Sequence, residues 1–179
     1  MDEILSKIMD PDKWPTISLP ENLELLNEIA DQSFAEKSFS GMLAATMMYQ
    51  QIIEAMCRHL IEDCHFQIQL SLYPTSISFK NNSSKMLGFY LEELKTSIDF
   101  YKKELFIERV EKFNAFRNRI VHEMRKSNIE ELTQELSSAK KAFDEIFDLY
   151  DEIQDSFRVI FHCFAKDTFI DLIDNESEK

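Results

Sequence analysis

Glycine and proline are nearly missing from this chain, with 2 and 4 among 179 residues. A β-rich fold needs turn formers in number, so the shortage argues against one. Positive charge is also short. Lys and Arg total 20 against 33 Asp and Glu, a formal net charge of −13. That balance favours solubility, disfavours unspecific binding to nucleic acid and suits a basic protein partner. Long apolar runs are absent. None approaches the roughly 20 residues needed to span a bilayer, so no membrane association is expected. The opening Met1-Asp2-Glu3-Ile4-Leu5 lacks a basic stretch followed by an apolar one, and no signal peptide is read there. Cysteine is sparse and odd in number. Cys57, Cys64 and Cys163 read as reduced thiols of a cytoplasmic protein.

What is there belongs to helices. The chain is 44% hydrophobic and 30% charged, and 15 Phe supply large core volume. Residues 1–20 read as a short helix and then an irregular arm, punctuated by Pro11, Pro15 and Pro20 and anchored by Trp14. Pro20 opens a helix over 21–36, because proline suits a first turn. Ser40-Gly41 is expected to break the chain before a long helix over 42–69, where Met42, Ala45, Tyr49, Ile52, Met56 and Leu60 recur at helical spacing. A polar loop with Asn81 and Asn82 follows, and Ser84 is placed to cap a helix over 85–98. The next helix spans about 103–126, and Ser127-Asn128 signals the start of another.

From Ile129 to Phe164, apolar residues alternate at spacings of 3 and 4: Ile129, Leu132, Leu136, Ala139, Phe143, Ile146, Tyr150, Ile153, Phe157, Ile160 and Phe164. A bundle helix is the simpler explanation, and a coiled coil between chains is the alternative. A single domain over 21–174 and a frayed tail over 175–179 complete the expected organisation. The fold class expected is all-α: an antiparallel up-and-down bundle of about five main helices.

The helix over 103–126 carries Phe116-Arg117-Asn118-Arg119-Ile120-Val121-His122. Turning about 100° per residue from Arg117 puts Asn114 at about 60°, Arg125 at about 80°, Asn118 at about 100° and His122 at about 140°. The opposite arc holds Phe106, Phe113, Phe116, Ile120 and Met124. Arg117 therefore sits where the oily and polar arcs meet, and Asn118 stands between it and His122. A permanent cation and a residue type that exchanges protons near neutrality are two of the parts needed to cleave a phosphodiester without metal.

Arg-Asn, three residues, then His, on the penultimate long helix of an all-helical chain, resembles the HEPN family. The motif covers about ten residues, and the helix order covers about 21–165. The resemblance implies a helical bundle that forms a homodimer, with two copies of the motif facing across a cleft. Many members are metal-independent endoribonucleases of toxin–antitoxin or antiphage systems. Others are non-catalytic modules that bind a protein partner, and that is the alternative function. In some such systems the partner antitoxin modifies a Tyr two residues after the motif His. Met124 occupies that position here, so that form of regulation is not implied. RNA is the expected substrate, with Arg117 and His122 essential, Asn118 supporting, and Arg125, Asn114 and Arg119 contacting the substrate. No cofactor and no metal are expected.

Two further groups invite attention. Cys57, His59, Glu62, Asp63, Cys64 and His65 lie close in sequence, but without the spacing of a zinc site. Cys57 and Cys64 are expected in the core, and Glu54 is expected to pair with Arg58 one turn on. Lys102, Lys103, Arg109, Lys112, Arg119, Arg125 and Lys126 gather near the motif helix. They read as a solvated face, with an RNA-backbone patch as the functional alternative.

Overall fold

The computed structural model of the chain describes residues 3–17, 21–79 and 85–176. They form α1 (Glu3–Met9), two single-turn 3-10 helices (Pro11–Lys13 and Pro15–Ile17), α2 (Glu21–Ala35), α3 (Phe39–Leu72), α4 (Leu87–Thr96), α5 (Lys103–Glu123), α6 (Ile129–Leu136) and α7 (Ala139–Glu176). No strand occurs among the described residues, and no helix there is long and apolar enough to cross a membrane. The expected loop residues Asn81 and Asn82, the Ser84 cap and the last residues of the tail lie outside the described set.

α3 is the axis of the bundle. Its buried face packs on α2, α4, α5, α6 and α7. α2 returns antiparallel to it, with the Tyr49 hydroxyl donating to Asp31 at 2.7 Å. α5 is antiparallel too, since Gln50 meets Arg117 while Cys64 meets Ser97 near the start of α5. α7 runs parallel to α3, because Tyr49 stacks on Phe143, His59 meets Tyr150 and Phe66 meets Phe161. Thus α2, α3, α5 and α7 alternate in direction. α4 does not alternate. It runs alongside α3 in the same sense, with Leu87 on Glu54 and Ser97 on Cys64.

The chain breaks before α3 at residues 36–38 rather than at Ser40-Gly41. Ser38 caps α3 by accepting from the Gly41 N–H at 3.0 Å, and Gly41 lies inside the first turn. The seam over 129–164 is not one helix. Ser137 and Ser138 turn their hydroxyls back onto the carbonyls of Gln134 and Glu135, which competes with helix continuation and separates α6 from α7. The seam residues from Leu132 to Phe157 are buried within this chain's own core, whereas Ile129 and Ile160 at its ends are exposed. The periodicity is therefore that of bundle helices. Asn128 caps α6 by accepting from the Glu130 N–H at 3.0 Å.

Trp14 anchors the N-terminal arm. It is buried, donates to the Ile8 carbonyl at 3.2 Å and packs edge-on against Phe161 of α7. Glu54 does not pair with Arg58. Its carboxylate instead accepts the Leu87 N–H at 3.1 Å, closing the N-terminus of α4. At the other end of α4, buried Lys103 donates to the carbonyls of Lys95, Ser97 and Ile98.

Candidate functional site

Arg117 lies half-buried where α5 meets α3, at the junction of apolar and polar arcs that the spacing indicates. Two amides hold it. Its Nε–H donates to Oε1 of Gln50, and its Nη1 donates to Oδ1 of Asn118 at 2.8 Å. Gln50 is buried on α3, and its Nε2 donates to Oδ1 of Asn114 at 3.3 Å. Both ends of the Gln50 amide are therefore used, which fixes its orientation and that of the guanidinium. Asn118 orients Arg117, not His122.

Every partner in this cluster is neutral. Several other cations along α5 and around it are ion-paired. Lys102 pairs with Glu152, Lys112 with Glu108, and Arg109 with Glu145 at 3.0 Å. Lys95 meets Glu111 at 2.8 Å, and Arg119 meets Glu135 at 2.6 Å and Glu123 at 3.5 Å. Among the described residues Arg117 has no carboxylate partner, and neither do Arg125 and Lys126 beyond it, both exposed. Among the described residues of α5 and the turn after it, the cations without a carboxylate partner are Lys103, buried on three carbonyls at the start of the helix, and Arg117, Arg125 and Lys126 at its far end.

His122 is exposed, and its ring makes no hydrogen bond or ion pair among the described residues. Met124 is exposed as well, since α5 ends at Glu123 before that position can pack. The structure thus unites Arg117, Asn118 and Asn114, leaves His122 and Arg125 free on the surface, and neutralises Arg119. Gln50 is the residue that the sequence reading missed.

A second polar cluster lies deep between α3, α7 and the arm. The Pro15 carbonyl can only accept, so Nε2 of His59 carries the proton and Nδ1 accepts from the Tyr150 hydroxyl. Burial lowers the His59 pKa in keeping with that neutral form, and burial raises the Tyr150 phenol. One turn along both helices, Gln154 donates to Oδ2 of Asp63. Burial pushes the Asp63 carboxyl up to about 7, against the pull of the Gln154 hydrogen bond. Cys57 and Cys64 are buried beside this layer, and no cluster of three His, Cys, Asp or Glu able to hold a metal occurs among the described residues. No protein-family model, no curated protein and no solved structure matches the chain.

Proposed function

We propose that the chain is a metal-independent endoribonuclease of the HEPN type, acting as a homodimer in a toxin–antitoxin or antiphage system. The observation that carries this reading is Arg117 itself: a half-buried guanidinium gripped by neutral amides, with no carboxylate partner, whereas Arg109, Lys112 and Arg119 on the same helix are ion-paired. An arginine meant for phosphate keeps its charge and its orientation.

In this reading His122 takes the proton from a ribose 2′-hydroxyl. The 2′-oxygen attacks the adjacent phosphorus, and Arg117 stabilises the charge that builds on the phosphorane oxygens. The 5′-oxygen leaves with a proton, giving a 2′,3′-cyclic phosphate and a 5′-hydroxyl end. Arg117 and His122 point away from one another around α5, so the second chain of the dimer supplies the other acid–base group. Arg125 and Asn114 flank the path of the backbone. Arg119 has two carboxylates on it and little charge to offer. A second reading, a non-catalytic module that binds a protein partner, is favoured by the free His122 ring, since a general base is ordinarily held in place by a hydrogen bond.

The test is cleavage of varied RNAs in EDTA by the parent and by Arg117→Ala and His122→Ala, each shown folded and dimeric. Loss of about 100-fold or more in both variants is expected for a charge clamp and a general base. No cleavage by the parent, or equal cleavage in all three, would establish the binding module instead. A monomeric parent would remove the composite site.

A further inference from the structure

The far end of α3 from the Arg117 cluster carries a different feature. Gln50 and Gln69 lie on one helix, and at about 1.5 Å per residue they stand about 28 Å apart. Around Gln69, α1, α3 and the segment after α3 enclose a groove of about 700 Å³. That volume is in the range of small-molecule sites.

The groove is built rather than left over. Its outer wall, residues 75–79, belongs to no helix or sheet, yet two side chains pin it to α3. Gln69 donates to the Thr75 carbonyl at 2.9 Å and accepts from the Ile77 N–H at 3.0 Å. His65 and Phe79 stack face to face, with ring centres 3.9 Å apart and planes 7° from parallel. Burial holds His65 toward its neutral form, against Glu93 and Glu62. The wall so fixed turns Ile77 toward open space, 41% exposed. Opposite it, Phe66 forms an apolar floor.

The charged side chains that line this groove are Lys7 and Lys13, with Asp10 behind Lys13 and Glu93 behind His65 at 3.6 Å. Lys7 reaches over the Phe66 ring at 5.1 Å and has no carboxylate partner among the described residues. Lys13 enters from the turn after α1, shared between Asp10 at 2.9 Å and Ser6 at 3.3 Å. An apolar, aromatic-walled slot with two ammonium groups suits a planar ring that bears an anion.

We propose that this groove binds a nucleoside monophosphate unit, its base lodged between Phe66 and the Ile77–Phe79 wall and its phosphate on Lys7 and Lys13. The site is separate from the Arg117 cluster and stands whether or not the chain cleaves RNA. The unit has two sources, a free mononucleotide or the 5′-phosphorylated end of an RNA chain.

Titration of the full chain with AMP, followed by amide NMR, tests the proposal. Shifts are expected at Lys7, His65, Gln69 and Phe79. Adenosine and ribose 5-phosphate should each bind about tenfold more weakly than AMP, one lacking the charged contact and the other the stacked base. Lys7→Ala and Ile77→Glu alter exposed side chains. Each should weaken AMP by about tenfold with circular dichroism unchanged, while Arg117→Ala should leave it unaltered. A 5′-phosphorylated trinucleotide that competes with AMP would support the site with RNA as its source. AMP binding without such competition would support it with free nucleotide. No shift up to about 5 mM AMP, a concentration at which even weak sites fill, would overturn the proposal. So would shifts confined to α5, or equal affinity in Lys7→Ala.

Discussion

Asp63 shows how one residue sets the pH response of a bundle. Its side chain is fully buried, and its Oδ1 and the Oε1 of Gln154 both lack a donor. Burial penalises the charged carboxylate and pushes the group up to about 7, against an ordinary value of 3.8 and against the pull of the Gln154 hydrogen bond. The sign of the effect follows from linkage. The unfolded chain releases this proton near pH 4 and the folded chain keeps it, so Asp63's stabilising contribution is complete below about pH 4 and is lost as pH rises to about 7. His59 acts in the opposite direction. Its lowered value means that stability is lost as pH falls below the ordinary histidine range. Asp63→Asn keeps a neutral, hydrogen-bonding side chain at every pH. It should be clearly more stable than the parent at about pH 8 in urea unfolding, and the gap should close toward about pH 4. A pH-independent difference would mean that folding leaves the Asp63 pKa where it stands in the unfolded chain.

At the scale of elements, the two glycines are expected to respond with opposite sign. At Gly41, a Cβ would fall 2.4 Å from the Ser33 carbonyl oxygen at the end of α2, so the helices meet there only because no side chain intervenes. Gly41→Ala should cost about 1–3 kcal/mol, as overpacking does. At Gly88 nothing lies within 4 Å, and neither glycine has a positive φ. Gly88→Ala should therefore raise stability by about 0.5–1 kcal/mol, the helix preference of alanine. Shifts in urea midpoint check both, and a neutral Gly41→Ala would mean that α2 and α3 do not approach so closely. The helices were largely legible in the sequence because apolar spacing and caps such as Asn128 are local signals. The break at Ser137-Ser138 was hidden, since the apolar spacing runs through it undisturbed while the serine back-bonds that end α6 carry no such period. The candidate site divides in the same way. Arg117, Asn118 and His122 share seven residues of chain and could be read together. Gln50 is one amide on an apolar helix, 67 residues from the arginine it orients, and only the packing of α3 on α5 reveals it.

At the scale of the whole molecule, α3 makes the bundle one cooperative unit, and the cysteines can report on it. Cys57 and Cys64 have no exposed surface, and α3 is covered by α2, α4, α5, α6 and α7. Reaching either thiol requires that cover to be lifted, and for Cys64 the Ser97 segment after α4 as well. Burial also suppresses the thiolate: it raises Cys57 strongly and pushes Cys64 up to about 12, the latter against the hydrogen bond from Ser97. Cys163 is exposed on α7. A thiol reagent added to the native protein should therefore modify Cys163 at once. Cys57 and Cys64 should follow slowly and together, at a rate set by global opening. With increasing urea their labelling should track the loss of helical circular dichroism along a single transition. If Cys64 reacts well before Cys57, the end of the bundle formed by α4 and the C-terminal part of α3 opens on its own. The groove beside Gln69 would then lie on a locally unstable element, whereas joint protection would place it on the same rigid body as the Arg117 cluster.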